Sequence, residues 1–345
     1  MCHNKSNENI DIVIPWVDPS DIQWQKDKAL YSNKPLILDS KEEKYYRDWN
    51  TLLYLFRSID VNMPWVNKIH FITYGHLPQW LNTSNPKLIV HNHSSFFKEG
   101  HAFPVFSSDA IEMNIGNLPD LSEKFIYFND DEIVVKPVEP SRFFRGKLPV
   151  DFLIQDIPRG GWLYKLLRTK DVYPDICKNC IRPLNDIAHK NNLGKLHFYN
   201  SSYSNIDKLK NFAFNSFKKY YWIIPNHSPQ PLLKSTIKIC ESLFPSIIQE
   251  TANSRFRTNK DICHYLFRNY NLLMGKFYPQ NFHDSHCIVL QDLKKSLEEI
   301  KNITKYTFVC INDSEFLTHQ GYLNLKPLLE KKLEELFPDK SNYEL

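Results

Sequence analysis

Short apolar runs alternate, over the first 135 residues, with stretches in which apolar side chains recur every three or four positions. Ile12–Val17 reads as a buried strand, and Asp48 as the cap of a helix presenting Trp49, Leu52, Leu53, Phe56 and Ile59. Ile69–Thr73 and Lys87–His91 read as two more strands, and Phe125–Phe128 as a fourth. Between them, Ser107 or Ser108 caps a short helix carrying Ile111, Ile115 and Leu118. This alternation predicts an α/β fold with a Rossmann-like, mostly parallel sheet flanked by helices.

The pattern changes after residue 140. Residues 140–225 are rich in aromatics, Asn and Lys, with a turn expected at Arg159-Gly160-Gly161, and read as a mainly helical insertion or acceptor-side lid. A helix is expected over about 230–244, with Ser228 as its cap, Pro229 at its first turn, and Leu232, Leu233, Ile237, Cys240, Leu243 and Phe244 near one face. Thr307–Ile311 reads as a strand between helical segments near 290–301 and 325–337. The last presents Leu325, Leu328, Leu329, Leu333 and Leu336, a face for the core, with membrane or partner docking as the alternative. The resulting division is an α/β catalytic core (1–139 and 226–320), an insertion (140–225) and a C-terminal amphipathic helix (321–345).

Composition narrows the function classes. The 345 residues are 42% hydrophobic and 24% charged, which suits a globular chain with a substantial core. Only 9 glycines occur, and neither dinucleotide nor Walker A glycine loop is present, so phosphate must be held by side chains, metal and helix ends. A net charge of +4, spread along the chain, gives no reason to expect nucleic acid. No apolar run approaches the roughly 20 residues of a membrane span, and residues 1–11 are polar, so no signal peptide is expected. Seven scattered cysteines suit a reducing compartment, and the lone Cys177-x-x-Cys180 reads as two incidental thiols.

The candidate chemistry begins where a run of β-formers ends in Asn129-Asp130-Asp131. Ligands of open α/β sheets bind at the carboxyl ends of strands, and Mg²⁺ favours one or two carboxylates plus phosphate oxygens. Asp18 and Asp313 repeat the strand-then-Asp pattern, although Asp also commonly starts turns. His227, placed at the expected helix start, would be a neutral imidazole able to act as a base. Arg255 and Arg257 would share a face of an extended segment and could clamp phosphate, unless they are merely solvated. Arg47 suits either phosphate or an intramolecular ion pair.

These segments resemble the Stealth family. Ile12 to Asp18, Tyr46-Arg47-Asp48-Trp49-Asn50 through Arg57-Ser58-Ile59 and Pro64-Trp65-Val66, Pro78 to Asn82, Ser108 to Glu112 and Leu121 to Asp131 resemble its first two blocks. His227 to Ser235 with Ser254 to Arg257 resembles the third block, and Val309 to Asp313 the fourth. Pro19 stands where the family usually has Gly, which stiffens the turn after Asp18. The resemblance implies a glycosyltransferase-A-like core and transfer of a hexose-1-phosphate, or N-acetylhexosamine-1-phosphate, from a UDP-sugar to a saccharide hydroxyl. UMP would be released, and the product would be a phosphodiester-linked capsular or exopolysaccharide.

The resemblance also implies roles. Asp130 and Asp131, with Asn129, would hold a divalent cation, Mg²⁺ or Mn²⁺, against the diphosphate. His227 would be the base, with Asp131 its rival, and Arg255 and Arg257 the phosphate clamp. Trp16, Asp18, Arg47 and Asn50 would line the nucleotide end, and Asp313 would join the metal group or orient His227 or an arginine. The expected partners are a nucleotide-sugar and an oligo- or polysaccharide acceptor, in the cytoplasm, with peripheral contact to the membrane or capsule machinery left open. A metal-dependent glycosyltransferase releasing UDP is the alternative enzyme, and a catalytically dead carbohydrate- or nucleotide-binding protein the alternative of another class.

Overall fold

The computed structural model describes residues 9–32, 47–98, 100–101, 103–159 and 172–345. The expected turn at 160–161, Tyr46 and the polar first eight residues lie outside them.

Five strands make the main sheet: β1 (Ile10–Pro15), β2 (Ile69–Thr73), β3 (Leu88–Asn92), β4 (Lys124–Tyr127) and an edge strand, Gln230–Leu233, in the order β3-β2-β1-β4-edge. The first four run parallel. The edge strand is antiparallel to β4, pairing Lys124 with Leu233 and Tyr127 with Gln230. The α/β expectation holds, with a sheet that is mostly parallel. Strand periodicity sorts the core into two layers. Ile10, Ile12, Ile14, Ile126 and Phe128 face one cluster, whereas Val13, Phe125 and Tyr127 face the other.

The edge strand corrects the helix expected from residue 230. Gln230-Pro231-Leu232-Leu233 is extended, and the helix begins only at Lys234 (Lys234–Leu243), with Leu233 as its cap. A four-residue apolar run is ambiguous between strand and helix, and pairing with β4 decides it. Pro231, which lacks an N–H, is tolerated because this strand lies at the sheet edge. A second correction concerns Asp48. The helix starts at Thr51 (α2, Thr51–Asn62, after α1, Ile22–Ser32), and its N-cap is Asn50 in the left-handed region at φ 57°. Trp49 therefore precedes the helix, and Asp48 accepts the Asn50 N–H at 2.7 Å in a tight turn.

The chain leaves the main sheet immediately after β4. Glu132–Val134 (β5) pairs antiparallel with Phe308–Asp313, which lies parallel to Ser285–Leu290, forming a second sheet. Asn129–Asp131 is thus the crossover between two sheets. Main-chain bonds fix it on both sides, Phe128 N–H to Val13 O at 3.0 Å and Ile311 N–H to Asp131 O at 2.8 Å.

The 140–225 stretch carries the helices Tyr173–Ile181, Lys195–Tyr199 and Asn205–Asn215. It opens with the hairpin Phe144–Arg145/Leu148–Asp151, whose second strand pairs with Tyr278–Pro279. The last helix, His319–Leu336, buries Leu325, Leu329 and Leu333 in the core, while Leu328 is 42% exposed and does not share that face. Arg57 ties this end of the chain down, donating to Glu334, Phe337 O and both oxygens of Glu344.

Candidate active site

Asp130 and Asp131 are half-buried on the crossover, and Asn129 is exposed. Burial, followed by the charges of Asp131 and Asp48, raises the Asp130 carboxyl to about 7. Burial raises Asp131 to about 6, against a hydrogen bond that lowers it: the Cys310 thiol donates to Oδ2 at 3.3 Å. Asp131 Oδ1 is buried and has no hydrogen-bond partner among the described residues. Glu132 beside them is also raised by burial, and it accepts the Asn129 N–H at 3.0 Å. Adjacent carboxylates with no ion-pair partner among the described residues, one with an orphaned oxygen, fit a hard divalent ion.

His227 does not sit at a helix N-terminus, since the edge strand intervenes. The antiparallel register ends at Tyr127 opposite Gln230, and three residues further along each strand are Asp130 and His227. His227 is exposed and lines a cavity. It faces the Tyr173 ring at 5.8 Å. Burial, then His264, Arg159 and Arg268, hold its pKa below the ordinary value. Desolvation and cationic neighbours, not a helix dipole, set the direction of that shift.

Arg255 and Arg257 lie in a bend, not in an extended strand, and have separate partners. Arg255 donates to Pro104 O at 3.0 Å and Phe103 O at 3.1 Å, and stacks 4.0 Å over Tyr31. Arg257 binds Asp109 through Nε at 2.9 Å and Nη2 at 3.2 Å, and donates to Ser108 Oγ. These bonds use Nε and Nη2 of each arginine.

Arg257 leads into a buried network that sequence reading did not assemble. Asp109 and Glu112 lie on Ser108–Asn114. Glu112 accepts the Tyr127 hydroxyl at 2.9 Å and the His264 N–H at 2.7 Å, with His264 Nδ1 3.0 Å from the same carboxylate oxygen. His264 stacks on Tyr127 at 4.7 Å. Burial and the Glu112 charge raise Asp109 to about 7, against the pull of Arg257. Burial disfavours the Glu112 carboxylate too, yet His264 brings it below its usual value. Ligand atoms of Glu112, Cys263 and His264 lie within 4.8 Å of one another, but hydrogen bonding already accounts for the Glu112 oxygens. Glu112 and His264 are 152 residues apart, and no local spacing could join them.

At the other end, Trp16 stacks on Phe71 at 5.6 Å and meets His76 edge-on at 5.3 Å. The Asp18 backbone N–H donates to His76 Nε2 at 2.6 Å, while its carboxylate accepts from Ser20 N–H and Oγ, closing a turn. Asn50 leaves its side chain out of the helix cap. Asp313 is engaged away from the acidic pair. Arg47 Nη1 reaches it at 3.1 Å and Trp49 Nε1 at 3.0 Å, and Arg47 Nη2 also donates to Leu317 O at 2.7 Å. Asp313 thus pairs with Arg47, and among the described residues it forms no metal-ligating group with Asp130 and Asp131. Cys177 and Cys180 are buried thiols, Cys180 packing 3.7 Å from Cys263 Sγ.

Residues 8–35 match Stealth protein CR1, conserved region 1, and residues 45–150 match Stealth protein CR2, conserved region 2. The chain is 33% identical over 347 residues to the capsular polysaccharide phosphotransferase WcwK of Streptococcus pneumoniae, covering 99% of each. It is 30% identical to the receptor polysaccharide phosphotransferase WefC of Streptococcus gordonii, covering 98% of this chain and 99% of that protein. It is 29% identical to the exopolysaccharide phosphotransferase cps2G of Lactiplantibacillus plantarum, covering 97% and 96%. Among solved structures, the galactosyltransferase LgtC with donor and acceptor sugar analogues is a loose likeness, with TM-score 0.40, 11% identity and 94% and 95% coverage.

Proposed function

The chain belongs to the Stealth family, and from that premise we propose that it is a sugar-phosphate transferase acting in polysaccharide synthesis. It moves a hexose-1-phosphate, or N-acetylhexosamine-1-phosphate, from a UDP-sugar to a saccharide hydroxyl. The product is a phosphodiester-linked capsular or exopolysaccharide, and UMP is released. The observation that carries this reading is the Asp130–Asp131 crossover, with its orphaned Asp131 Oδ1, three residues beyond the ladder pair that also leads to His227.

In the reaction the acceptor oxygen attacks the β-phosphorus. The new P–O bond forms as the bond from that phosphorus to the bridging oxygen breaks, and the bridging oxygen leaves on UMP. His227, neutral at working pH, takes the hydroxyl proton. Asp130 and Asp131, with Asn129, would hold a divalent ion, which would supply charge neutralisation at the diphosphate. Arg255 and Arg257 offer Nη1, which no hydrogen bond among the described residues engages, to the phosphoryl oxygens. Trp16, Asp18, Arg47 and Asn50 line the nucleotide end. The reading puts the enzyme in the cytoplasm. No helix among the described residues is long and apolar enough to cross a membrane.

A donor screen of UDP-hexoses and UDP-N-acetylhexosamines with Mg²⁺, scored by mass spectrometry, tests the reaction class. UMP with a sugar–phosphate–sugar product is expected. UDP with a plain glycoside would replace this reading by that of a glycosyltransferase.

A further inference from the structure

We infer that the cavity walled by His227 is the acceptor-sugar subsite, and that Asn226, Gln280 and Asn281 bind a neutral saccharide there against Phe152 and Phe282. This deepens the phosphotransfer reading and rests on it. The cavity is half open to solvent and has a volume of about 260 Å³, room for one sugar ring with ordered water.

Two ion pairs border it. Arg142 gives Nε and Nη2 to the two oxygens of Asp284 at 2.9 and 2.7 Å, and lies 4.2 Å over the Phe282 ring. Asp151 binds Arg268 through both oxygens at 2.8 Å and takes a third bond from Gln230 at 3.1 Å. With both ion pairs closed on themselves, Arg142 and Arg268 are committed, and an anion would face two carboxylates. A polyhydroxylated neutral ligand meets no such penalty.

The uncommitted groups are amides. No hydrogen bond among the described residues engages the Gln280 side chain. Asn281 Oδ1 accepts the His283 N–H at 3.1 Å, and Asn226 Oδ1 accepts from Ser228 Oγ at 2.9 Å, leaving both amide nitrogens as donors. The wall that carries them is rigid. Gln280 N–H donates to Asp151 O at 2.9 Å and Asn281 N–H to Ser202 Oγ at 3.0 Å. His283 holds φ 51°, a left-handed conformation uncommon for a non-glycine and concentrated at functional sites.

Position assigns the acceptor instead of the donor. The hydroxyl that loses its proton must lie within hydrogen-bond reach of the base, and His227 lines this cavity. The lining also includes Cys287, the register partner of Cys310, whose thiol donates to Asp131 at 3.3 Å. The neutral chamber therefore adjoins the acidic pair where the diphosphate would lie.

The test uses the full chain and defined probes: methyl glycosides of glucose, galactose, N-acetylglucosamine and N-acetylgalactosamine, followed by saturation-transfer NMR. At least one should bind the wild-type protein, and Gln280→Ala or Asn281→Ala should weaken it about tenfold for each neutral hydrogen bond lost. Gln280→Glu, which keeps the shape, should weaken it too, with thermal melting confirming that each variant folds. UDP-sugar affinity with Mg²⁺ should stay unchanged. Absence of glycoside binding, binding indifferent to all three substitutions, or a loss of UDP-sugar binding instead would overturn the assignment. A wild-type enzyme releasing UDP would defeat the phosphotransfer reading separately, because glycoside binding reads the cavity alone.

Discussion

Arg47 and Asp313, 266 residues apart in the chain, form an ion pair at 3.1 Å with side chains only 4% and 11% exposed. Burial raises the Asp313 carboxyl, while Trp49 and Arg47 oppose that shift. Breaking a buried pair leaves one charge uncompensated, which costs about 3–5 kcal/mol. Arg47→Ala and Asp313→Ala should each lower stability by a sizeable share of that amount. The double variant should lose less than the sum, measured as a coupling energy by urea denaturation. Additive losses would mean that the two charges do not interact in solution.

The acidic crossover makes stability depend on both pH and metal. Asp130 and Asp131 have folded values of about 7 and about 6, above the ordinary 3.8 of an unfolded aspartate. Between about pH 4 and 7 the folded state therefore holds protons that the unfolded state has released, so their contribution falls as pH rises. In EDTA, the Asp130→Asn/Asp131→Asn variant should gain on the wild type in melting temperature from about pH 5 to about pH 7.5. Millimolar Mg²⁺ should raise the wild-type melting temperature at the higher pH and leave the variant unmoved. A Mg²⁺ response equal in both proteins would place the ion elsewhere.

His227→Ala and Asp131→Ala should each lower the rate of UMP release roughly 10²-fold or more, with far-UV circular dichroism confirming that both variants fold. For His227 the pH profile adds a second readout. Its pKa lies below the ordinary histidine value, so wild-type activity should persist below pH 6.5 as far as the base is concerned. The Asp pair should set the acid limb instead, and saturating Mg²⁺ should shift that limb to lower pH.

The last helix offers a packing contrast within two adjacent residues. Leu329 is fully buried in the core, whereas Leu328 is 42% exposed. Leu329→Ala should cost about 3–5 kcal/mol through lost burial and a residual cavity, and Leu328→Ala less than about 0.5 kcal/mol. Chemical denaturation of the two variants checks both values.

Local signals carried much of this molecule. Ile69–Thr73 was legible as a strand from its β-branched run, and the helix bearing Leu52, Phe56 and Ile59 from its period. Misreadings fell where short-range pattern is ambiguous. Gln230–Leu233 could join a helix or a sheet edge, and only the partner strand, about a hundred residues earlier in the chain, makes it extended. The helix expected directly after His227 begins only at Lys234, so its surroundings and not a helix end lower its pKa. Arg255 and Arg257 looked paired because two-residue spacing aligns side chains only in an extended backbone, and the bend separates them.

What the residues alone determined is where apolar period gives way to carboxylate, and hence the Asp130–Asp131 strand end and the α/β layering. The tertiary structure alone decided that this end bridges two sheets, that Asp313 holds Arg47, and that Glu112 meets His264. It also brought Phe152 and Gln280 onto one cavity wall. Periodicity is a property of neighbouring positions, and solvent drives it. Pairings across a hundred residues or more depend on how buried charge and unsatisfied polar groups find compensation once the sheets have closed.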